Sequence, residues 1–236
     1  MPPKPSRMEI ENIEICKVAG ANRETRLDSV IHEAEVAIKL DGRIRQRLFC
    51  LPTDLEELAL GYLMSRGIST SDVGIECKAN KISVSAKRTG MLKPQKVTLQ
   101  LRITEREVFD FIKRLDDNSP LFKKTGGTHV VGIFHGSHAV FVEDVSRHCA
   151  IDKIIGLSLK QGIELSQSVL VTSCRQTLST MRKAIFARIP IVITISAPTD
   201  LAIKASHLSG ITLVGFARDL QFNIYSHDWR ILRNSH

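Results

Sequence analysis

The stretch "SVLVTSCRQTLSTMRKAIFARIPIVITISAPTD", Ser168 to Asp200, decides the fold. Two short apolar runs, "SVLVTS" and "IVITIS", are too uniformly apolar to keep one face in water, so they read as strands buried on both faces. Between them "TLSTMRKAIFARI" has helical spacing and is closed by Pro190. Strand, helix and strand in that order make a βαβ unit and imply a parallel pair.

Working outward, "TDLAIKASHLSG" reads as a helix, "ITLVGF" as a strand and "QFNIYS" as a last strand. Upstream, residues 148–162 place Ile151, Ile154, Ile155 and Leu159 on one helical face, with Asp152 expected on the solvated side. "THVVGIF" and "HGSHAVFVEDV" read as a hairpin, and Ser119-Pro120 opens a short helix that Gly126-Gly127 stops.

The first half of the chain reads differently. Ala37–Leu40 and Ile44–Phe49 alternate around the tight turn Asp41-Gly42, which predicts a hairpin. "TDLEELALGYLMSRG" offers Thr53 and Glu56 as a capping box, with Leu55, Leu58, Ala59, Tyr62 and Leu63 at helical spacing. Val73–Cys77 and Lys81–Lys87 predict a second hairpin. "RTGMLKPQK" is a polar loop and "VTLQLR" alternates as a strand. Thr104 and Glu107 form another capping box, ahead of a stripe of Val108, Phe111, Ile112 and Leu115. The expected organisation is a flexible tail over residues 1–24, a hairpin-and-helix subdomain over 25–118, and an α/β domain over 119–236.

Composition sets limits. The 236 residues carry a net charge of +8, which favours anionic partners. Aromatics make up only 5%, and no basic stretch interleaves with them, which argues against a nucleic-acid stacking surface. No apolar run is long enough to span a bilayer, and Met1–Arg7 lacks the core of a signal peptide. Five scattered cysteines without a C-x-x-C pair argue against a disulfide framework and a structural zinc site, and fit a reducing cytoplasm. H-x-E with P-C-x-x-C, the zinc deaminase signature, is missing, as is G-x-S-x-G.

In a parallel sheet, ligands bind beyond the carboxyl ends of the strands. Here those ends read Ser173-Cys174-Arg175, Ser196-Ala197-Pro198-Thr199 and Phe216-Ala217-Arg218-Asp219. Helices following at about Gln176 and Thr199 would aim free N–H groups into one crevice, and Arg175 and Arg218 would add a fork suited to phosphate. An anion or nucleotide site is the sharper reading; ordinary surface loops are the plainer one. Asp144 or Ser146 is placed to cap a helix starting near Arg147, which sets Arg147 and His148 where cations are disfavoured unless an anion is near. Gly126 and Gly127 fit a turn or a close approach to ligand, and His129 fits a packed core-edge position. Cys149 follows Arg147 and His148, Cys174 precedes Arg175, and Cys50 lies in "CLP"; each is a candidate thiol or simply a small buried residue.

The segments "LFCLPTDLEELALGYLMSRGI", "LFKKTGGTHVVGI", "VEDVSRHCAIDKIIG", "VTSCRQT", "ISAPTDLAIKAS" and "ITLVGFARDLQFNIYS" resemble, in that order, the formate dehydrogenase accessory (FdhD/NarQ) family. The resemblance runs from about Asp28 to Ile231. It implies a cytidine-deaminase-like three-layer α/β domain without zinc, with a mixed, largely parallel sheet. It also implies a cytoplasmic homodimer that takes sulfur from a cysteine desulfurase. The sulfur passes to the bis-molybdopterin guanine dinucleotide molybdenum cofactor destined for formate dehydrogenase. The family's cofactor-binding segment matches Phe216, Ala217, Arg218, Asp219, Leu220 and Gln221. One departure matters. The family carries sulfur on a mobile C-G-x-C-G loop, and the matching region here, "KRTGMLKPQKVTLQ", has no cysteine. Cys149 and Cys174 stand where the family has Asn and Gly. The expected function is therefore sulfur transfer by relocated chemistry, or cofactor binding without transfer as a divergent chaperone.

Overall fold

The computed structural model describes residues 9–70, 73–79, 81–86 and 90–234. Strands β1 (Ile10–Ala19) and β2 (Asn22–Ile31) form a separate antiparallel hairpin. The tail expected over 1–24 is thereby corrected from Ile10 onward; residues 1–8 lie outside the described part. The alternation there is masked by charge, since Glu, Lys and Arg occupy both faces of the hairpin.

Next come β3 (Ala34–Leu40), β4 (Arg43–Cys50), α1 (Leu55–Met64), β5 (Val73–Lys78) and β6 (Lys81–Ala86). They form a four-stranded sheet ordered β4-β3-β6-β5, with β3 and β6 parallel. The expected turn forms, with Asp41 and Gly42 both at positive φ. Val36, Ile38, Ile82 and Val84 put one face of this sheet under Leu58, Ala59, Tyr62 and Leu63 of α1. The Thr53–Glu56 capping box does not form. Asp54 takes the cap position without a side-chain bond, and Glu56 is drawn to Lys160 Nζ at 2.7 Å.

The second layer system follows: β7 (Ile103–Thr104), α2 (Glu105–Asp117), α3 (Pro120–Thr125), β8 (His129–His135), β9 (His138–Asp144), α4 (Arg147–Lys160), β10 (Val169–Thr172), α5 (Leu178–Phe186), β11 (Ile191–Thr194), α6 (Asp200–Ser209), β12 (Thr212–Arg218), β13 (Gln221–Ser226) and β14 (Ile231–Leu232). The six-stranded sheet runs β13-β12-β11-β10-β8-β9, and its parallel part is the central trio β12, β11 and β10. Leu170, Val192 and Leu213 face α4, α5 and α6. Val169, Val171, Ile191 and Ile193 face Val108, Phe111 and Leu115 of α2. Burial on both faces explains the unbroken apolar runs. Because α2 packs on this sheet, it belongs with the α/β layers, although it precedes the boundary drawn at residue 118.

"VTLQLR" is corrected from strand to strap. Val97 N–H donates to Ser209 O at 2.8 Å, and Leu99 O accepts from the Arg230 guanidinium at 3.2 and 3.4 Å. Its alternating residues do bury in the cores beside the six-stranded sheet, but only the following Ile103–Thr104 pairs, with β14.

Two glycines join the halves. A Cβ on Gly61 of α1 would sit 1.7 Å from Asp152 O of α4, and one on Gly156 of α4 would sit 1.9 Å from Glu57 O. The helices cross backbone to backbone, so α4 is covered by the sheet on one side and α1 on the other. That corrects Asp152, expected in solvent: it is 2% exposed.

Candidate functional site

The carboxyl edge of the parallel trio is stitched by its own loops. Cys174 N–H donates to Thr172 Oγ1 at 2.9 Å, and Thr194 Oγ1 donates to Cys174 O at 2.7 Å. Gln176 pairs with Pro198 beyond the strand ends, through Gln176 N–H to Ala197 O at 3.1 Å and Thr199 N–H to Gln176 O at 2.9 Å. These bonds fix where the next helices begin. Thr177 and Thr199 cap α5 and α6, and Ser146 caps α4, accepting from Cys149 N–H at 3.5 Å. Ser146 N–H is itself held by Asp144 Oδ1 at 2.7 Å.

The three capped helix starts open into one cleft of about 1120 Å³. Its floor is Ser146 and His148 at the start of α4, Thr177–Ser179 at the start of α5, and Thr199–Leu201 at the start of α6. Its opposite wall is Gln46–Phe49 of β4 with Ser65 and Arg66 after α1. Unpaired N–H groups at helix starts carry partial positive charge. Arg47, Arg66, Arg182 and Lys183 line the same space against two carboxylates, Asp152 and Asp200. Lys183 Nζ is already matched, at 2.6 Å from Asp152 Oδ1, where the Ser65 hydroxyl also donates at 2.6 Å. Arg66 stacks 3.5 Å over the Tyr62 ring, and Arg47 pairs with Glu35 on the rim. Arg182 is exposed and has no ion-pair partner among the described residues. Burial, then Lys183 and Arg147, push His148 below the usual histidine range, so at neutral pH it faces the cleft uncharged. Fixed helix dipoles, the exposed Arg182 guanidinium and a neutral imidazole able to take up a proton give the cleft groups that favour an anion.

Of the candidate ligand residues and thiols singled out in the sequence, only His148 lines this cleft, together with the helix caps Ser146 and Thr199 and the misplaced Asp152. Beside it, His129, Arg147 and Arg175 come together: burial and then the two arginines depress the His129 pKa, and Arg147 Nε is buried without a hydrogen-bond partner. Phe216 to Gln221 form the tip joining β12 and β13, one strand farther along. Phe216 N–H donates to Ser196 O at 3.1 Å, Ala217 is buried, and Arg218 and Leu220 are exposed. Gly126 is the left-handed stop of α3, and Gly127 gives way to Ile31 of β2, 2.7 Å from where a Cβ would lie. Both glycines therefore shape the chain. Among the cysteines, Cys174 is fully buried and burial pushes its thiol up to about 12. Cys50 and Cys149 are buried together; Cys16 and Cys77 are exposed.

Sequence reading missed Arg47, Ser65, Arg66, Arg182 and Lys183. The first three come from a segment about a hundred residues before the helices they face. Arg182 and Lys183 had a signal: both lie within the first turn and a half of a helix that starts at the carboxyl edge of the parallel strands.

A mixed six-stranded α/β sheet with a cleft lined by arginines at the carboxyl edge of its parallel strands defines the class of protein by its fold. The FdhD/NarQ family model matches residues 70–232, and the chain belongs to that family. It is 33% identical over 230 residues to the sulfur carrier protein FdhD of Methanothermobacter thermautotrophicus, covering 87% of this chain and 92% of the relative. It is 30% identical to the FdhD of Sulfurisphaera tokodaii, covering 95% and 100%. The crystal structure of a "putative formate dehydrogenase accessory protein" from Desulfotalea psychrophila superposes with a TM-score of 0.81 at 27% identity, covering 95% of this chain and 100% of that one.

Proposed function

We propose that the chain holds the guanine dinucleotide form of the molybdenum cofactor and serves its sulfuration before delivery to formate dehydrogenase. A cysteine desulfurase is the proposed source of sulfur. The observation that carries this reading is the convergence of three capped helix starts with Arg66 and Arg182 in one cleft, which suits the diphosphate of such a cargo. The exposed Phe216–Gln221 tip, one strand away, is the proposed contact for the remainder of the nucleotide. The exposed apolar residues Ile13, Val18 and Leu27 of the β1–β2 hairpin support a homodimer.

A second reading, a cofactor chaperone without sulfur transfer, is favoured by the strap. Among its described residues, 90–102, there is no cysteine, and it is tied at Gly67, Ser209 and Arg230 where the family has a mobile cysteine loop.

Calorimetry with GDP, and with ADP and pyrophosphate as competitors, tests the site. A charge-assisted bond contributes about 1.5–3 kcal/mol, so Arg182→Ala is expected to weaken GDP roughly 10- to 100-fold. Arg218→Ala is expected to weaken GDP more than pyrophosphate. Unchanged GDP affinity in Arg182→Ala would remove the cleft from consideration. Labelled cysteine with a desulfurase separates the two readings: label retained on the chain supports sulfur carriage, and its absence with GDP binding intact supports the chaperone.

A further inference from the structure

Cys50 is the last residue of β4 and Cys149 lies in the first turn of α4. They come from different halves of the chain, yet they pack in the same core, and each shifts the titration of the other. Both are buried in one apolar cluster with Val36, Ile38 and Leu58. A second contact fixes the same alignment: Lys153, one turn along α4 from Cys149, donates from Nζ to Leu51 O at 2.8 Å. The residue after Cys50 is thus pinned to the face of α4 that carries Cys149. The pair sits directly behind the cleft. Ser146, whose hydroxyl oxygen accepts from Cys149 N–H at 3.5 Å, lines the floor, and Phe49, next to Cys50, lines the wall.

We propose that Cys50 and Cys149 form a dithiol site that accepts sulfane sulfur from a small hydropersulfide and discharges it as sulfide, closing to a disulfide. This rests on the sulfur-carrier reading above and supplies the thiols that the strap lacks. The two cysteines are unequal. Cys149 lies at a helix start, and Cys50 and Ser146 beside it lower its pKa, so it attacks. Cys50 keeps its proton, because its bond to Cys149 and burial raise its pKa. In the first step the Cys149 thiolate bonds the terminal sulfur of the hydropersulfide, and the donor's S–S bond breaks to leave the donor thiolate. In the second, the Cys50 sulfur bonds the Cys149 Sγ and the Cys149 persulfide bond breaks. The departing sulfur takes the Cys50 proton and leaves as hydrogen sulfide. Two thiols are oxidised to one disulfide and sulfane sulfur is reduced to sulfide, so charge and atoms balance. A cellular dithiol reductant resets the pair by two-electron reduction.

The experiment treats the reduced full-length chain with glutathione persulfide without air, alkylates it, and maps peptides without reductant. The expected result is a linked Cys50–Cys149 peptide and one sulfide released per chain, unchanged in a Cys16→Ser/Cys77→Ser variant. In Cys50→Ala, sulfide release should fall at least tenfold and the persulfide should remain on Cys149. Absence of the linked peptide from wild type overturns the proposal, as does undiminished sulfide release in Cys50→Ala. If Cys50→Ala does not fold, the wild-type map decides alone. Sulfur found only on Cys16 or Cys77 overturns the pair and leaves sulfur carriage standing. Sulfur on no cysteine overturns both, and the GDP titration reports on the cleft independently of either.

Discussion

Substituting Gly61 by alanine perturbs the joint on which the cleft depends. The added Cβ would lie 1.7 Å from Asp152 O, 2.5 Å from its carbonyl carbon and 2.8 Å from its Cα, all main-chain atoms that no rotamer change can move. Reaching an ordinary contact of 3.4 Å requires α1 and α4 to part by about 1.7 Å at the crossing. Overpacking costs about 1–3 kcal/mol, and a main-chain obstacle puts this site at the upper end. The greater helix propensity of alanine returns about 1 kcal/mol. The net loss is about 2 kcal/mol, or roughly 4–8 °C in Tm for a chain of this size. The same separation lengthens the Ser65–Asp152 bond of 2.6 Å and moves Arg66 away from Arg182, so GDP affinity should fall with stability. Gly90→Ala, whose Cβ would meet nothing closer than 3.9 Å, is the control. Thermal unfolding by circular dichroism and GDP titration are the assays. A Gly61→Ala variant as stable as wild type, or one that loses stability with GDP affinity intact, would refute the coupling of joint to cleft.

Three further outcomes follow from charges in and beside the cleft. Asp152→Asn leaves Lys183 buried without its counter-charge, which costs about 3–5 kcal/mol, and Asp152→Asn/Lys183→Met should recover much of that Tm loss in the same scan. His148 is held low by burial and nearby cations, so a bound diphosphate should raise its pKa; calorimetry near pH 6.5 in buffers of different ionisation heat should find proton uptake on GDP binding, tighter binding at lower pH, and neither in His148→Asn. His129 is also held below the ordinary value of about 6.5, so the unfolded chain protonates first as pH falls. Stability is full above that value and lost as pH drops from it toward the folded pKa, and urea titrations should show a flatter acid limb in His129→Gln.

The sheet and the edge that carries the cleft were legible because their causes are local. β10, α5, β11 and α6 follow from unbroken apolar runs, a closing proline and capping threonines, and the carboxyl-end rule then points to the edge. The strap misread because alternation reports only that every second residue is buried: Val97, Leu99 and Leu101 satisfy it by packing into the two cores, without a ladder. Asp152 misread because a helical wheel assumes a wet side, and α4 has almost none; nine of its fourteen residues are buried. The cleft's far wall was illegible because Arg47 and Arg66 reach it only through the packing of α1 on α4.

That packing makes α4 the element on which the candidate chemistry depends. Its inner face meets the six-stranded sheet, its outer face meets α1 through Gly61 and Gly156, and its first turn presents Ser146 and His148 to the cleft with Cys149 behind them. The buried Lys153–Asp144 pair, 2.7 Å apart, ties the middle of α4 to the end of β9 just before that turn, and Lys153 also holds Leu51. A buried pair adds little net stability over apolar residues of the same size. What it adds here is position: one ammonium sets the distance from β9 and from the Cys50 segment to the same helix. Lys153→Met, with the charge of Asp144 removed by Asp144→Asn, should therefore fold, yet loosen the register of Cys50 on Cys149. Mild oxidation with diamide measures that register directly. The double variant should form the Cys50–Cys149 bond at least several-fold more slowly than wild type at equal Tm, and an equal rate would show that the apolar cluster alone aligns the two thiols.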